Sequence, residues 1–150
     1  MNVSRICSRN PITVRRSDEL IKAAQLMREE HVGFLVVVES DGADGLRPVG
    51  VLTDRDIVIT VVAREADPRT LRVEDVMTQP PVTVTTADSL DQAVREMRRV
   101  GVRRLPVVGK RRELVGILSL DDVLDALAGE LQNVAGSVHN EQVIEGALRP

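Results

Sequence analysis

The chain has almost no aromatic residues: Phe34 is the single one, with no Trp or Tyr among 150 residues. Binders of single-stranded nucleic acid usually stack bases on several aromatics, so that class loses its platform. Any base held here must rest mostly on aliphatic side chains and backbone. Cysteine is as scarce. Cys7 stands alone, so no intramolecular disulfide can form, which suits a reducing, cytoplasmic compartment. The two histidines, His31 and His139, form no zinc-like spacing with it, and Cys7 reads as a small buried residue. The sequence contains no nucleophile–base pair, metal cluster or P-loop, so no enzyme is expected. Long apolar runs are missing too. The longest, Val32 to Val38 and Ile57 to Ala63 interrupted by Thr60, are too short to span a bilayer. The N-terminus has no basic segment followed by a long apolar one, so no secretory leader is expected.

What is present suits one compact domain or two small subdomains. Hydrophobic residues make up 43% and charged residues 29%, enough for a core and a solvated surface. Twenty basic and 23 acidic residues give a net charge of −3, which is not the footprint of a general nucleic-acid binder. One local run, Arg95, Arg98, Arg99, Arg103 and Arg104, could still touch nucleic acid; its plainer reading is a solvated helix face.

The most informative feature is an internal repeat. Val3-Ser4-Arg5-Ile6-Cys7-Ser8 aligns with Val73-Glu74-Asp75-Val76-Met77-Thr78, an offset of 70. The offset persists through Pro11-Ile12-Thr13-Val14 against Pro81-Val82-Thr83-Val84, and through Leu20/Leu90, Ala23/Ala93, Met27/Met97 and Leu35/Leu105. It then drops to 66, with Gly50-Val51-Leu52-Thr53-Asp54-Arg55-Asp56-Ile57 matching Gly116-Ile117-Leu118-Ser119-Leu120-Asp121-Asp122-Val123. The change falls between Glu39 and Arg47, where Asp41-Gly42 and Asp44-Gly45 predict a turn. Surface turns are where insertions are tolerated.

Each copy reads as strand, helix, strand, strand, helix. Ile12-Thr13-Val14 is a short β-prone run. Leu20, Ala23, Ala24 and Met27 share one face of a helix, and in the second copy Ser89 and Gln92 have capping-box spacing. Phe34–Val38 and Leu105–Val108 read as buried strands, each partnered across a hairpin by Val49–Leu52 or Val115–Leu118. Ile57-Val58-Ile59-Thr60-Val61-Val62 is β-branched throughout and by propensity alone is a strand. Its counterpart Val123-Leu124-Asp125-Ala126-Leu127-Ala128 is helix-prone, and the repeat argues that both are helices. A helix apolar nearly all round must be buried nearly all round, so the two final helices should face one another about an internal pseudo-twofold. The expected organisation is residues 1–66 for the first repeat, 67–72 for a linker, 73–128 for the second repeat and 129–150 for a tail, partly helical, with a short helix after Asn140.

The order Val76-Met77-Thr78, Pro81-Val82-Thr83-Val84, Val102-Arg103-Arg104-Leu105-Pro106-Val107-Val108, Gly116-Ile117-Leu118-Ser119 and Asp122 resembles a CBS domain, named after cystathionine β-synthase. The first repeat is similar, and the resemblance covers about residues 3 to 128. It implies an α/β (α+β) tandem repeat, β-α-β-β-α twice, and a stand-alone regulatory module of bacterial type, since no catalytic domain is left over.

Thr53-x-x-Asp56 and Ser119-x-x-Asp122 lie at strand-to-helix junctions. As capping boxes alone they are worth about 0.5–2 kcal/mol of helix stability. The same geometry suits a ligand, because a helix N-terminus favours phosphate and a short carboxylate can accept from ribose hydroxyls. Gly50 and Gly116 would let a ligand approach the backbone closely. The resemblance implies that the Asp holds the ribose while adenine lies on the opposite repeat. One site would then join Ser119 and Asp122 to Ile12, Thr13, Gly33 and Phe34. The other would join Thr53 and Asp56 to Val82, Thr83, Arg103 and Arg104, with Arg55 near the phosphates. Arg103 and Arg104 could instead pair with Asp121 or Asp122. Because Asp121 replaces Arg55 in the second copy, the Arg55 cleft should favour more phosphates. The ligand class is an adenine nucleotide, AMP, ADP or ATP, with S-adenosylmethionine sharing the same adenosine; no cofactor is required. A homodimer and a regulated protein partner are expected. The alternative is a dimerisation module whose motif residues only cap helices.

Overall fold

The computed structural model describes residues 1–40, 42 and 45–149. Two three-stranded sheets, ordered β1-β2-β3 and β4-β5-β6, form the frame. β1 (Thr13–Arg15) runs parallel to β2 (Phe34–Ser40), which pairs antiparallel with β3 (Leu46–Thr53). β4 (Val84–Thr85), β5 (Arg104–Val108) and β6 (Leu114–Ser119) repeat that arrangement. Even the irregularity recurs, with register shifts after Val37 and after Val107. The mixed α+β tandem repeat anticipated from sequence is the fold observed. The two expected first strands begin later than their apolar runs, so Ile12 and Val82 lie just before β1 and β4. Part of the turn expected around Asp41-Gly42 and Asp44-Gly45 lies outside the described residues.

α1 (Leu20–Glu30) and α3 (Leu90–Val100) cover the sheets. Both bury the same apolar stripe, Leu20, Ala23 and Met27 in one and Leu90, Ala93 and Met97 in the other. α3 starts on the expected capping box: Gln92 N donates to Ser89 Oγ at 3.2 Å and Ser89 N donates to Gln92 Oε1 at 2.8 Å. It ends on Gly101 at φ 70°, the left-handed cap that suits glycine. α1 uses His31 at φ 55° for the same purpose, a conformation that costs a side-chain-bearing residue more.

Each repeat sends its leading segment across to the other. Val3 N donates to Asp88 O at 3.0 Å and Val73 N donates to Asp18 O at 2.9 Å. Ser8 exchanges two backbone bonds of 2.9 Å with Ile117, and Thr78 exchanges bonds of 2.9 and 3.0 Å with Val51. The cores follow this exchange. Val14, Leu35, Val37 and Leu52 pack with Val73, Val76 and Met77 from the second copy. Val84, Leu105, Val107 and Leu118 pack with Val3 and Cys7 from the first. A third apolar layer, Phe34, Val36 and Val38 with Leu46, Val51, Leu114 and Ile117, joins the two sheets. The crossing also explains two glycines differently from the sequence reading. A Cβ on Gly116 would lie 2.2 Å from Ser8 O, and one on Gly50 would lie 3.0 Å from Thr78 O. These glycines admit the crossing backbone of the partner repeat, and the close approach is to chain instead of ligand.

The contested segment is helical. α2 (Asp54–Ile57) continues into a π-helical turn, Val58–Val62, closed by Ala63 N donating to Val58 O at 2.9 Å. Burial of Val61 against the first core overrides the strand propensity of the run. Its counterpart α4 (Leu120–Leu148) is a single 29-residue helix. The tail expected as a separate segment with a short helix after Asn140 is thus a direct continuation of α4. Gly129 and Gly136 lie inside this helix, where glycine weakens but does not forbid helical backbone. Every residue from Glu130 to Arg149 is exposed.

Candidate nucleotide cleft

The junction of β3 and α2 supplies one motif end. Thr53 Oγ1 accepts from Asp56 N at 3.0 Å, and Asp56 Oδ2 accepts from Thr53 N at 2.9 Å. At the β6–α4 junction Ser119 Oγ accepts from Asp122 N at 3.1 Å, and Asp122 Oδ2 accepts from Ser119 N at 2.8 Å. Ser119 Oγ also lies 2.6 Å from Asp122 Oδ2, to which its hydroxyl donates. Both capping boxes are therefore formed. Capping occupies only Oδ2 of each aspartate, and both residues are half-buried. A carboxylate with a second oxygen can accept further hydrogen bonds, so capping and ligand binding are compatible at the same residue.

A cavity of about 470 Å³ opens beside Thr53, Arg55 and Asp56. Its far wall is Val82, Arg103 and Arg104 from the second repeat, as the sequence expectation groups them. Apolar wall comes from Val51, Val102, Leu105 and Pro106, and from Pro80 and Pro81. Phe34 and Gly33, which the sequence reading groups with Ser119 and Asp122, line this cavity as well. The reason is hairpin register: Phe34 pairs directly with Thr53, and Asp54 N donates to Gly33 O at 3.0 Å. Gly33 stays small because a Cβ there would meet Asp54 Oδ2 at 2.6 Å. Thr83 also departs from expectation, since it lines a neighbouring cavity with Arg16 and Arg112. Ile12 and Thr13, expected at the Ser119–Asp122 site, belong to the first repeat's core and sheet: Ile12 is half-buried against the first core and Thr13 pairs with Val36 in β1.

The charges differ between the two ends. Arg103 Nη2 lies 3.3 Å from Asp121 Oδ1, the pairing weighed as the plainer use of that arginine. The partners are 71% and 63% exposed, so the pair adds little stability. Arg55 and Arg104 form no side-chain ion pair among the described residues. In the arginine run, Arg95 pairs with Asp91 and Arg99 with Glu96, the solvated helix face of the plainer reading. These contacts raise the guanidinium pKa values, chiefly through the side-chain hydrogen bonds, and lower that of Glu96. Sequence reasoning missed the proline wall. Its signal was Pro80-Pro81 standing immediately before Val82 in the aligned leader.

The structure thus defines a duplicated fold with a capped strand-to-helix junction in each copy and a cavity beside the first, and the family model for the CBS domain matches residues 3–63 and 73–129. The chain belongs to the CBS domain family. An uncharacterised protein of Methanopyrus kandleri is 33% identical over 124 residues, 83% of this chain and 61% of that protein, so the chain spans less than two thirds of that relative. Bacillus subtilis YlbB is 35% identical over 132 residues, 88% of this chain and 84% of YlbB. Among solved structures, the CBS domain pair of protein MJ0100 in complex with 5-methylthioadenosine and S-adenosyl-L-methionine superposes with a TM-score of 0.74 at 25% identity. That match covers 87% of this chain and 98% of the other. Among the described residues no helix is long and apolar enough to cross a membrane.

Proposed function

We propose that the chain is a non-catalytic regulatory module that senses an adenine nucleotide in the Thr53–Asp56 cavity and in its pseudo-twofold counterpart at Ser119–Asp122. The observation that carries this reading is the cavity itself. It sets a carboxylate with one oxygen outside the cap beside aliphatic walls and two arginines without side-chain ion pairs among the described residues, Arg55 and Arg104. Its volume falls in the usual range for small-molecule sites. Adenine would lie on Val82, Val102 and Pro106, ribose hydroxyls would donate to Asp56, and phosphates would meet Arg55 and Arg104. The adenosine ligands of the MJ0100 pair support this class of ligand. AMP, ADP and ATP share the adenosine read by the motif, as does S-adenosylmethionine.

Binding would shift an equilibrium between arrangements of the pair or of its dimer. A second copy would cover Val58, Ile59 and Val62 of the first repeat and Leu124 and Leu127 of the second, all large apolar side chains left exposed, because closed twofold pairing is the commonest way to bury such faces. The lone buried Cys7 agrees with a cytoplasmic protein. Calorimetric titration of the full chain with AMP, ADP, ATP and S-adenosylmethionine tests the reading. Saturable binding by at least one of them, lost in Asp56→Ala, is the expected result. No binding by any of the four would leave the dimerisation module with purely structural caps.

A further inference from the structure

The chain has a second cavity that nucleotide binding does not use. At about 580 Å³ it is comparable in size to the cleft beside Thr53, and the two share Pro80 and Pro81 as lining residues. Three arginines converge on it from separate segments: Arg16 after β1, Arg47 in β3, and Arg112 in the turn between β5 and β6. Like charges brought together repel unless an anion sits among them. Two of the three are partly compensated: Arg47 has an interaction of its own, and Arg16 has Nε 3.1 Å from Glu39 Oε1 and Nη2 donating to Gln79 Oε1 at 2.6 Å. The Nε–Glu39 contact is not a formed hydrogen bond, and that nitrogen is buried without one.

Arg112 is held differently. Its backbone is left-handed at φ 66°, a costly state for a residue with a side chain. Its side chain forms no ion pair among the described residues. The acid beside it in sequence, Glu113, turns back on its own hairpin, accepting from Arg111 N at 2.9 Å. The repeat does not account for this cluster, because the counterpart of Arg16 is Thr86. Arginine forks grip tetrahedral oxyanions from several directions with paired hydrogen bonds. Pro48, Val49 and Val108 supply dry wall behind them.

We propose that this cavity binds a phosphate-bearing anion, independently of the nucleotide cleft. Pyrophosphate is the probe, titrated calorimetrically into the full chain with and without saturating adenosine, which carries no phosphate. The expected result is saturable binding in both conditions, weakened about tenfold or more in Arg112→Ala, as for loss of a charged hydrogen bond. Arg112 is exposed, so its removal should leave folding and adenosine affinity unchanged. Glu39→Gln should tighten binding several-fold, because it removes the competing carboxylate from Arg16. A cavity that is only structural would not respond in that direction. Absence of pyrophosphate binding would overturn the proposal. So would binding that is lost in Arg55→Ala but kept in Arg112→Ala, since the anion would then occupy the nucleotide cleft. Equal affinity for succinate would overturn the phosphate assignment. Because adenosine and pyrophosphate are read separately, failure of the nucleotide reading leaves this test intact.

Discussion

Thr53 and Ser119 begin their helices in the same way, yet the helices they begin diverge. Both accept from the backbone N–H three residues on, and both are matched by an aspartate that returns the bond. Beyond that, α2 passes into a π-helical turn and ends at Val62, while α4 runs unbroken to Leu148. At the cap itself Arg55 stands on one side and Asp121 on the other. Duplication supplied a common frame of strands, caps and crossing leaders. The residues left free by that frame, among them the two positions inside each cap (Asp54 and Arg55 against Leu120 and Asp121) and everything after the last shared turn, are where the two halves acquired different chemistry.

The largest stability effect should come from the glycines at the crossing. Gly116→Ala drives a Cβ to 2.2 Å from backbone oxygen, whereas Gly50→Ala meets Thr78 O and Met77 Sδ at 3.0 Å. Overpacking of this kind costs about 1–3 kcal/mol, and Gly116→Ala should lie at or above the upper end. Thermal unfolding of the two variants would measure the difference, and equal melting temperatures would mean that the crossings are equally tight.

Next come the cap aspartates. Asp56→Ala and Asp122→Ala should each weaken adenosine binding at one cleft by about 1.5–3 kcal/mol, with a further loss of about 0.5–2 kcal/mol in stability from the cap. Calorimetry and thermal melts separate the two effects. If both variants melt earlier but bind nucleotide like the parent, the aspartates are caps and nothing more.

A third comparison concerns length. Leu124, Leu127, Leu131, Val134 and Val138 alternate spacings of three and four along α4, the pattern of a coiled-coil seam. Leu131 is 70% exposed and Val134 62%, so the extension leaves this seam uncovered. Truncation after Ala128 should leave nucleotide affinity unchanged, because the extension contributes no wall to the cavity beside Thr53. It should lower self-association seen by sedimentation. Unchanged association and stability would make the extension a solvated spur.

These contrasts also show what could be read in advance. The repeat offset carried the strand order, both final helices and both capping boxes, because each depends on local pattern or on a neighbour in the alignment. It decided Val58–Val62 correctly against β-propensity. The exchange of leaders was not legible, since Val3 and Val73 look like ordinary first residues of their own repeats and only tertiary packing sends each to the other core. That crossing is also why Gly50 and Gly116 were misjudged. Phe34 and Gly33 were assigned across the repeat when hairpin register places them beside Thr53 and Asp54. The full length of α4 was not legible because the residues after Ala128 have no counterpart in the first repeat; Gly129 and Gly136 do not end the helix, since neither adopts a left-handed conformation.

The smallest effect, and the sharpest test of the electrostatic contrast, is an exchange at the position inside the cap. Arg55→Ala removes a cation beside the proposed phosphates and leaves the Asp56 sugar contact alone. It should weaken ATP several-fold more than adenosine, with the difference shrinking as salt is raised, because the arginine is exposed and its field is screened. Asp121→Arg makes the reciprocal change. It removes the carboxylate that now engages Arg103 and places a cation where Arg55 stands in the first copy. Because the Arg103–Asp121 pair is mostly exposed, its loss should cost less than about 1 kcal/mol of stability. ATP affinity at the Ser119–Asp122 end should rise toward that of the Thr53–Asp56 end, while adenosine affinity stays level. Calorimetry of the two variants at low and moderate salt reads both shifts. If Arg55→Ala weakens ATP and adenosine equally, Arg55 is structural, and the difference between the clefts must come from their walls.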